Sequence, residues 1–207
     1  MEPYRGRGMA SREELMRKLA EEVWRCRKCR LGSLRKNAVV GEGSLEAELF
    51  LIGEAPGRVE DETGRPFVGS AGRLLDRLLA DIGLRREDVY IGNILKCRPP
   101  GNRRPRADEV EACTPYLERQ LAIIQPRVIA PMGNSAAGYL LKRFGYEAPS
   151  ISRVHGRCFE AEAPWGRVLL FPLYHPAAAL YAKELLRILE DDFRVLGGIL
   201  RRLRGAP

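Results

Sequence analysis

No apolar run reaches the roughly eighteen residues that a membrane-spanning helix needs, so a chain anchored by such a helix is excluded. The first residues, MEPYRGRGMASREE, are charged and lead into no apolar segment, which argues against a secretory signal and for a soluble, cytoplasmic protein. Internal repeats, low-complexity tracts and interdomain linkers are also missing. With 207 residues and 45% hydrophobic content the chain suits one core rather than two, so a single domain is expected over residues 1–207, with 1–10 as a flexible tail. Asn and Gln together number six and lysine is scarce beside arginine, a bias that a hot habitat and a GC-rich genome explain equally well. Neither GKS nor GKT occurs, so the glycine-bearing GEAPG is not a phosphate-binding P-loop.

Positive charge and cysteine are present. Against 27 acidic residues stand 35 basic ones, a net charge of +8 that favours a polyanionic partner. Five cysteines without an export signal disfavour a disulfide framework and leave a metal site or free thiols. CRKC holds Cys26 and Cys29 one turn apart, whereas Cys97 and Cys113 are separated by fifteen residues of a proline- and arginine-rich loop. Structural zinc takes two short knuckles, and the second pair is too wide for one; a four-thiolate [4Fe–4S] cluster tolerates the wide loop. Cys158 has no partner in the pattern and reads as core. A metal holding both ends of the loop would fix Arg98, Arg103, Arg104 and Arg106 for phosphate contact, with Arg35 and Lys36 on the same face.

Along the chain, strand and helix patterns alternate. Ser11 and Glu14 form a capping box ahead of a helix to about Arg25. ELFLIG, DVYIGNIL, RVIAPMG and RVLLFPLY read as buried strands, the last being the second arm of a hairpin that turns near Pro164–Gly166. Between them, one helix runs from Ser70 as N-cap to Gly83 as C-cap. A second opens at Asp108 and is kinked or delayed by Pro115, a third is NSAAGYLLKRFG, and a long amphipathic helix through Leu189 and Phe193 closes the chain. The alternation predicts an α/β fold: a three-layer αβα sandwich around a mostly parallel, four-stranded sheet.

Ligands of such sheets bind outside the carboxyl ends of the strands. Glu54, Asn93, Asn134 and His175 fall at four of those ends, His175 being one of two histidines and His155 reading as structural. The first strand empties into GEAPGRVEDETGRPFVG, where two prolines, four carboxylates and one aromatic, Phe67, share a glycine-bearing loop. Glycines there allow close approach of a ligand, and Phe67 is the one aromatic among glycines and charges. The single amide of Asn93 carries one donor and one acceptor, a pair that can read a complementary polar edge.

The combination of GEAPG, ETGRPFVG, GNILKCRPP and YHPAA with the four cysteines resembles the family 4 uracil-DNA glycosylases, the iron–sulfur branch of their superfamily. The resemblance runs from about Leu15 to Arg201. It implies the αβα fold, a structural [4Fe–4S] cluster on Cys26, Cys29, Cys97 and Cys113, and hydrolysis of the N-glycosidic bond of deoxyuridine in DNA, leaving an abasic site. It further implies that Phe67 stacks a base extruded from the duplex, that the Asn93 amide matches the N3–H and O4 edge of uracil where cytosine presents the reverse pattern, that His175 stabilises the departing uracil anion, and that Glu54, with the backbone at Ala55, positions the attacking water. Other branches carry an aspartate where Ala55 stands, so their general base is missing here. Glu60 is expected at the pocket wall near uracil C5. In HPAAALY the usual position of the duplex wedge holds Ala179, which leaves Leu180 as the candidate. Uracil-containing DNA is the expected partner, single- or double-stranded, bound by a monomer, with a replication or repair protein as a further candidate. The competing reading is a non-catalytic iron–sulfur module that binds nucleic acid.

Overall fold

The structure is a computed structural model that describes residues 10–205; the expected N-terminal tail falls almost entirely outside the described residues. Six strands form one sheet: β1 (Glu42–Gly43), β2 (Leu49–Gly53), β3 (Tyr90–Asn93), β4 (Val128–Pro131), β5 (Phe159–Ala163) and β6 (Gly166–Leu170). Their order is β1-β3-β2-β4-β6-β5. The four inner strands are parallel, with Leu51 opposite both Ile91 and Ala130, and the two outer strands are antiparallel.

The four strands expected from sequence are this parallel centre. The count of four is corrected to six because both additions are edges with weak signatures. β1 is two residues long, and in β5 the pattern FEAEA alternates between half-buried and exposed. The inner strands read as continuous apolar runs because helices cover both faces of the sheet. Successive residues point to opposite sides, so β2 sends Phe50 and Ile52 into one core and Leu49 and Leu51 into the other.

The first core is closed by α1 (Arg12–Arg25), α5 (Ala107–Ile124) and α6 (Asn134–Arg143), through residues such as Leu19, Val23, Leu117, Leu121 and Leu140. Short α2 (Leu31–Leu34) follows the CRKC turn on that side. The second core is closed by α4 (Ser70–Asp81) and α9 (Lys183–Leu203), through Leu75, Leu78, Leu79, Leu189, Phe193 and Leu196. Both sets are almost fully buried, so truncating Leu75 or Leu117 to alanine should cost about 2–5 kcal/mol. No helix among the described residues is long and apolar enough to cross a membrane.

The helix ends differ in detail from expectation. Ser11 does cap α1, accepting from the Glu14 amide at 3.2 Å. Gly69 rather than Ser70 is the N-cap of α4, and its amide is taken by the Glu60 carboxylate at 2.9 Å. At the other end Ile82 is the C-cap; Gly83 follows it in the left-handed region, and its amide and that of Leu84 close back onto Ala80 and Leu79. Arg106, not Asp108, precedes α5, where Glu109 accepts from the Arg106 amide at 2.9 Å. Pro115 lies within one continuous α5; the Glu111 carbonyl, deprived of its amide partner, is approached by the Thr114 hydroxyl at 3.4 Å.

Candidate active site

The chain reverses its direction of winding at β2, which pairs with β3 on one side and β4 on the other, and a cavity of about 430 Å³ opens at the carboxyl ends of these strands. Glu54, Ala55, Glu60, Phe67, Asn93 and His175 all line it, with Ser135 and Gly133 from the β4 side and Arg103 and Arg104 at its rim.

The floor is set by backbone register. Gly53 is paired with Asn93, and a Cβ at Gly53 would lie 2.4 Å from Asn93 Oδ1 and 2.6 Å from Phe67 Cζ. Only glycine lets the amide and the aromatic ring approach from both sides. Asn93 is 2% exposed, and its Oδ1 is the one buried side-chain polar atom without a hydrogen-bond partner among the described residues. Such an atom costs free energy unless a ligand satisfies it.

Phe67 is held in the left-handed region at φ 50°, an uncommon conformation for a bulky residue. Arg86 holds it there: its guanidinium donates to the Pro66 carbonyl at 2.6 Å and the Phe67 carbonyl at 2.9 Å while pairing with Glu42 and Asp76. The ring stacks on His175 with centroids 5.6 Å apart and planes 29° apart. His175 also caps the short α8 (Pro176–Ala179), Nδ1 accepting from the Ala177 amide at 3.1 Å. An Nδ1 that accepts carries no proton, so the imidazole is neutral with its N–H on Nε2. Burial agrees, pulling the His175 pKa down to about 4 against an opposing effect of Glu60. Gly133 is in the left-handed region at φ 87°, and a Cβ there would lie 3.1 Å from the His175 Cβ, so a side chain would be strained and would press on the histidine.

The four carboxylates of the 53–69 loop do not act alike. The Glu54 carboxylate receives the Ser135 hydroxyl from the first turn of α6, and its other oxygen has no protein donor among the described residues. Glu60, on α3 (Arg58–Thr63), does line the cavity, but its Oε1 is occupied by the Val68 and Gly69 amides at 3.0 and 2.9 Å. Asp61 is buried and accepts the Lys36 amide at 3.0 Å, and Glu62 pairs with Arg58 on the surface. Three of the four therefore fold the loop. Asn134 is likewise a tie, its Oδ1 accepting at 2.8 Å the amide of Ile151, the first residue of short α7 (Ile151–Val154).

Cys26, Cys29, Cys97 and Cys113 line a second, small cavity with Val23, Ala112 and Tyr116. Among the described residues no three Cys, His, Asp or Glu side chains converge as ligands of a single metal ion; the four thiols surround the cavity instead. Arg35 donates to Cys97 Sγ at 2.9 Å and the Lys96 amide to Cys113 Sγ at 3.2 Å. Arg35 therefore serves this cavity and is not free for phosphate. Burial pushes both thiols up, Cys113 to about 11, so their thiolate forms require a compensating positive charge. Cys158 is exposed, not core.

Of the basic loop, Arg103 is a structural ion pair, forked onto Glu109 at 2.8 and 2.5 Å; Glu109 is fully buried, and this contact pulls its pKa down to about 2. Arg98 donates to Asn102 at 2.7 Å, and exposed Arg104 has no side-chain partner among the described residues. Leu180 packs partly buried against the second core, while its neighbour Tyr181 is 95% exposed. His155 bonds Asp192 at 2.8 Å and lies against Tyr174, away from the cavity lining. Sequence reasoning missed Ser135, Arg86 and Tyr181. Ser135 directly follows the strand-end Asn134 and was within reach of the same argument; the other two depend on contacts or exposure that only the fold creates.

Known proteins are similar along most of this chain. The profile of the uracil DNA glycosylase superfamily matches residues 40–195. The type-4 uracil-DNA glycosylase of Saccharolobus solfataricus is 50% identical over 177 residues, 85% of this chain and 82% of that protein. Its counterpart in Archaeoglobus fulgidus is 51% identical over 180 residues, 86% and 90% of the two chains, and that of Thermotoga maritima is 42% identical over 197 residues, 94% and 99%. The chain therefore belongs to the uracil DNA glycosylase superfamily, in its type-4 branch.

Proposed function

We infer that this protein is a DNA repair enzyme that hydrolyses the N-glycosidic bond of deoxyuridine, releasing uracil and leaving an abasic site. The observation that carries the reading is the buried, unpartnered Oδ1 of Asn93, set beside an aromatic face in a cavity the size of a small ligand. A base inside a duplex is out of reach and must be rotated into such a pocket. Uracil offers an N3–H to Oδ1 and an O4 to the amide nitrogen. Cytosine would leave both ends mismatched and buried, which disfavours it strongly.

In this reading the base stacks on Phe67 with O2 toward His175. The C1′–N1 bond breaks with its electron pair passing to the uracil ring, and the charge gathers on O2, where the neutral His175 Nε2–H donates a hydrogen bond. Water attacks C1′, aligned by the free oxygen of Glu54 and the backbone at Ala55; as the new C1′–O bond forms one of its protons passes to solvent water, and the uracil anion takes a proton from solvent at N1 on release. Ser135 fixes the Glu54 carboxylate for this task. Glu60 bounds the pocket where the methyl of thymine would project.

The four cysteines fit a [4Fe–4S] cluster: four soft donors surround one cavity, and N–H donors from Arg35 and Lys96 already point at sulfur. Such a cluster supplies structural anchorage, tying CRKC to both ends of the arginine loop. DNA contact is assigned to Arg104 and Arg98, with Arg103 as a buttress, and the duplex wedge to Tyr181 in place of Leu180. One chain supplies every group named, so a monomer suffices. Incubation with an oligonucleotide carrying one uracil should give an alkali-labile site at that position. Tight binding without release of uracil would establish the non-catalytic module instead, a reading that leaves the open acceptor of Asn93 without a purpose.

A further inference from the structure

We propose that Lys96 is a positioning residue for uracil recognition, a buried strut that braces the backbone of Asn93 against the helix bearing Cys113, so that the base pocket and the cysteine cavity share one rigid part. The inference rests on Asn93 as the reader of uracil.

With Oδ1 unpartnered, the Asn93 amide is placed by its backbone and by packing against Gly53 and Phe67. On the amino side that backbone is fixed by the parallel ladder to β2, and the next amide, of Ile94, donates to the Gly53 carbonyl at 3.0 Å. The Asn93 carbonyl, at the point where the strand ends, is held by Lys96 Nζ at 2.7 Å. The Ile94 amide and the Asn93 carbonyl are the two ends of one peptide unit, so the plane that follows the Asn93 Cα is pinned at both ends, by Gly53 across the sheet and by Lys96 from the side of α5.

Lys96 is itself anchored to α5 at both ends. Its amide donates to Cys113 Sγ at 3.2 Å, and its ammonium to Gln120 Oε1 at 2.5 Å. Cys113 and Gln120 are seven residues apart, about two turns, and so share one face of the helix. Gln120 is held in turn through Nε2 by the Val40 carbonyl at 2.9 Å and the Tyr90 hydroxyl at 3.2 Å. Lys96 is 1% exposed, and its Nζ is met by two neutral acceptors, the Asn93 carbonyl and Gln120 Oε1, with no carboxylate pair among the described residues. A cation in such a place is costly unless its bonds are needed. Here they join the cysteine side of the molecule to the residue that reads the base.

The test compares Lys96→Met, which keeps the stem and removes the ammonium, with the parent, both with their iron content and visible absorbance recorded. Affinity for free uracil, measured by calorimetry, and the single-turnover rate on uracil DNA should each fall roughly 10- to 100-fold, the scale of a misplaced active-site group. Affinity for an abasic-site oligonucleotide and the iron content should stay near the parent's. Gln120→Leu, which leaves Lys96 with one tether, should move the same two quantities in the same direction by less, and it decides the matter if Lys96→Met does not fold. A role in general stability alone predicts a lowered Tm with normal uracil affinity in the folded fraction. That outcome, or unchanged uracil affinity and rate in iron-loaded Lys96→Met, overturns the proposal while a uracil-cleaving parent leaves the enzyme's function standing.

Discussion

Two walls of the cavity each present a side-chain oxygen, and they are built to opposite ends. At the end of β3, Asn93 Oδ1 is buried and unpartnered. On α3, Glu60 Oε1 accepts two backbone amides, from Val68 and Gly69. The first oxygen has its hydrogen-bonding capacity unused, whereas the second is occupied in holding the loop that carries Phe67 against the start of α4. Polar lining alone therefore does not single out a reader, and the proposed one rests on hydrogen-bonding capacity left unused inside a buried site. On the proposed function, the asymmetry divides the pocket into a chemical wall, Asn93 with His175, and a shaping wall, Glu60 with Phe67 and its Arg86 clamp.

The largest loss is expected on the chemical wall. His175→Asn retains a side chain suited to capping α8 but removes the Nε2–H, and should lower the single-turnover rate by about 10²- to 10³-fold with little change in Tm. Because burial pulls His175 down to about 4, the parent's rate should stay level between about pH 6 and 8; a mechanism using a protonated imidazole predicts a fall through about pH 6.5 instead. Linkage has the same origin. The unfolded histidine takes a proton near pH 6.5 and the folded one resists it, so this contribution to stability is complete above about 6.5 and is lost as pH falls toward 4.

Asn93→Asp should cost roughly 10²-fold on uracil and raise cleavage of cytosine, since a protonated carboxyl presents the opposite donor pattern. Arg86→Met, on the shaping wall, should cost about tenfold in rate and lower Tm, because Phe67 then relaxes from its left-handed conformation; normal activity would show that the ring needs no clamp. Glu60→Gln is the mildest change. Two charge-assisted bonds become neutral ones, so about 1 kcal/mol of stability and only a few-fold in rate should be lost. A Glu60→Gln loss as large as that of Asn93→Asp would erase the distinction between the walls.

Much of this organisation was legible in the chain. Leu49–Gly53 and the other three strands of the parallel centre are legible as apolar runs, and the position of Glu54, Asn93 and His175 at strand ends follows from that alone. What escaped depends on contacts between distant residues. Glu60 and Glu109 cap helices in place of the expected Ser70 and Asp108 because their carboxylates turn toward backbone amides, which composition does not reveal. Arg103 looked like a phosphate ligand, but buried Glu109 draws it inward. Leu180 and Tyr181 are adjacent, and the packing beneath them, rather than their order in HPAAALY, decides which projects. β5 was readable as a hairpin arm, but nothing in its exposed alternation shows that it joins the sheet.

The central claim, that an open acceptor on Asn93 reads the N3–H of uracil, is tested most directly without mutation. Free uracil and 3-methyluracil differ by a methyl group where that hydrogen should meet Oδ1, and their affinities for the enzyme can be compared by inhibition of single-turnover cleavage. Uracil should inhibit and 3-methyluracil should bind at least about 10²-fold more weakly, as expected for a site whose buried polar group is left unpaired. Equal inhibition by the two bases would contradict the assignment of Asn93 and, with it, the account of how this pocket selects its base.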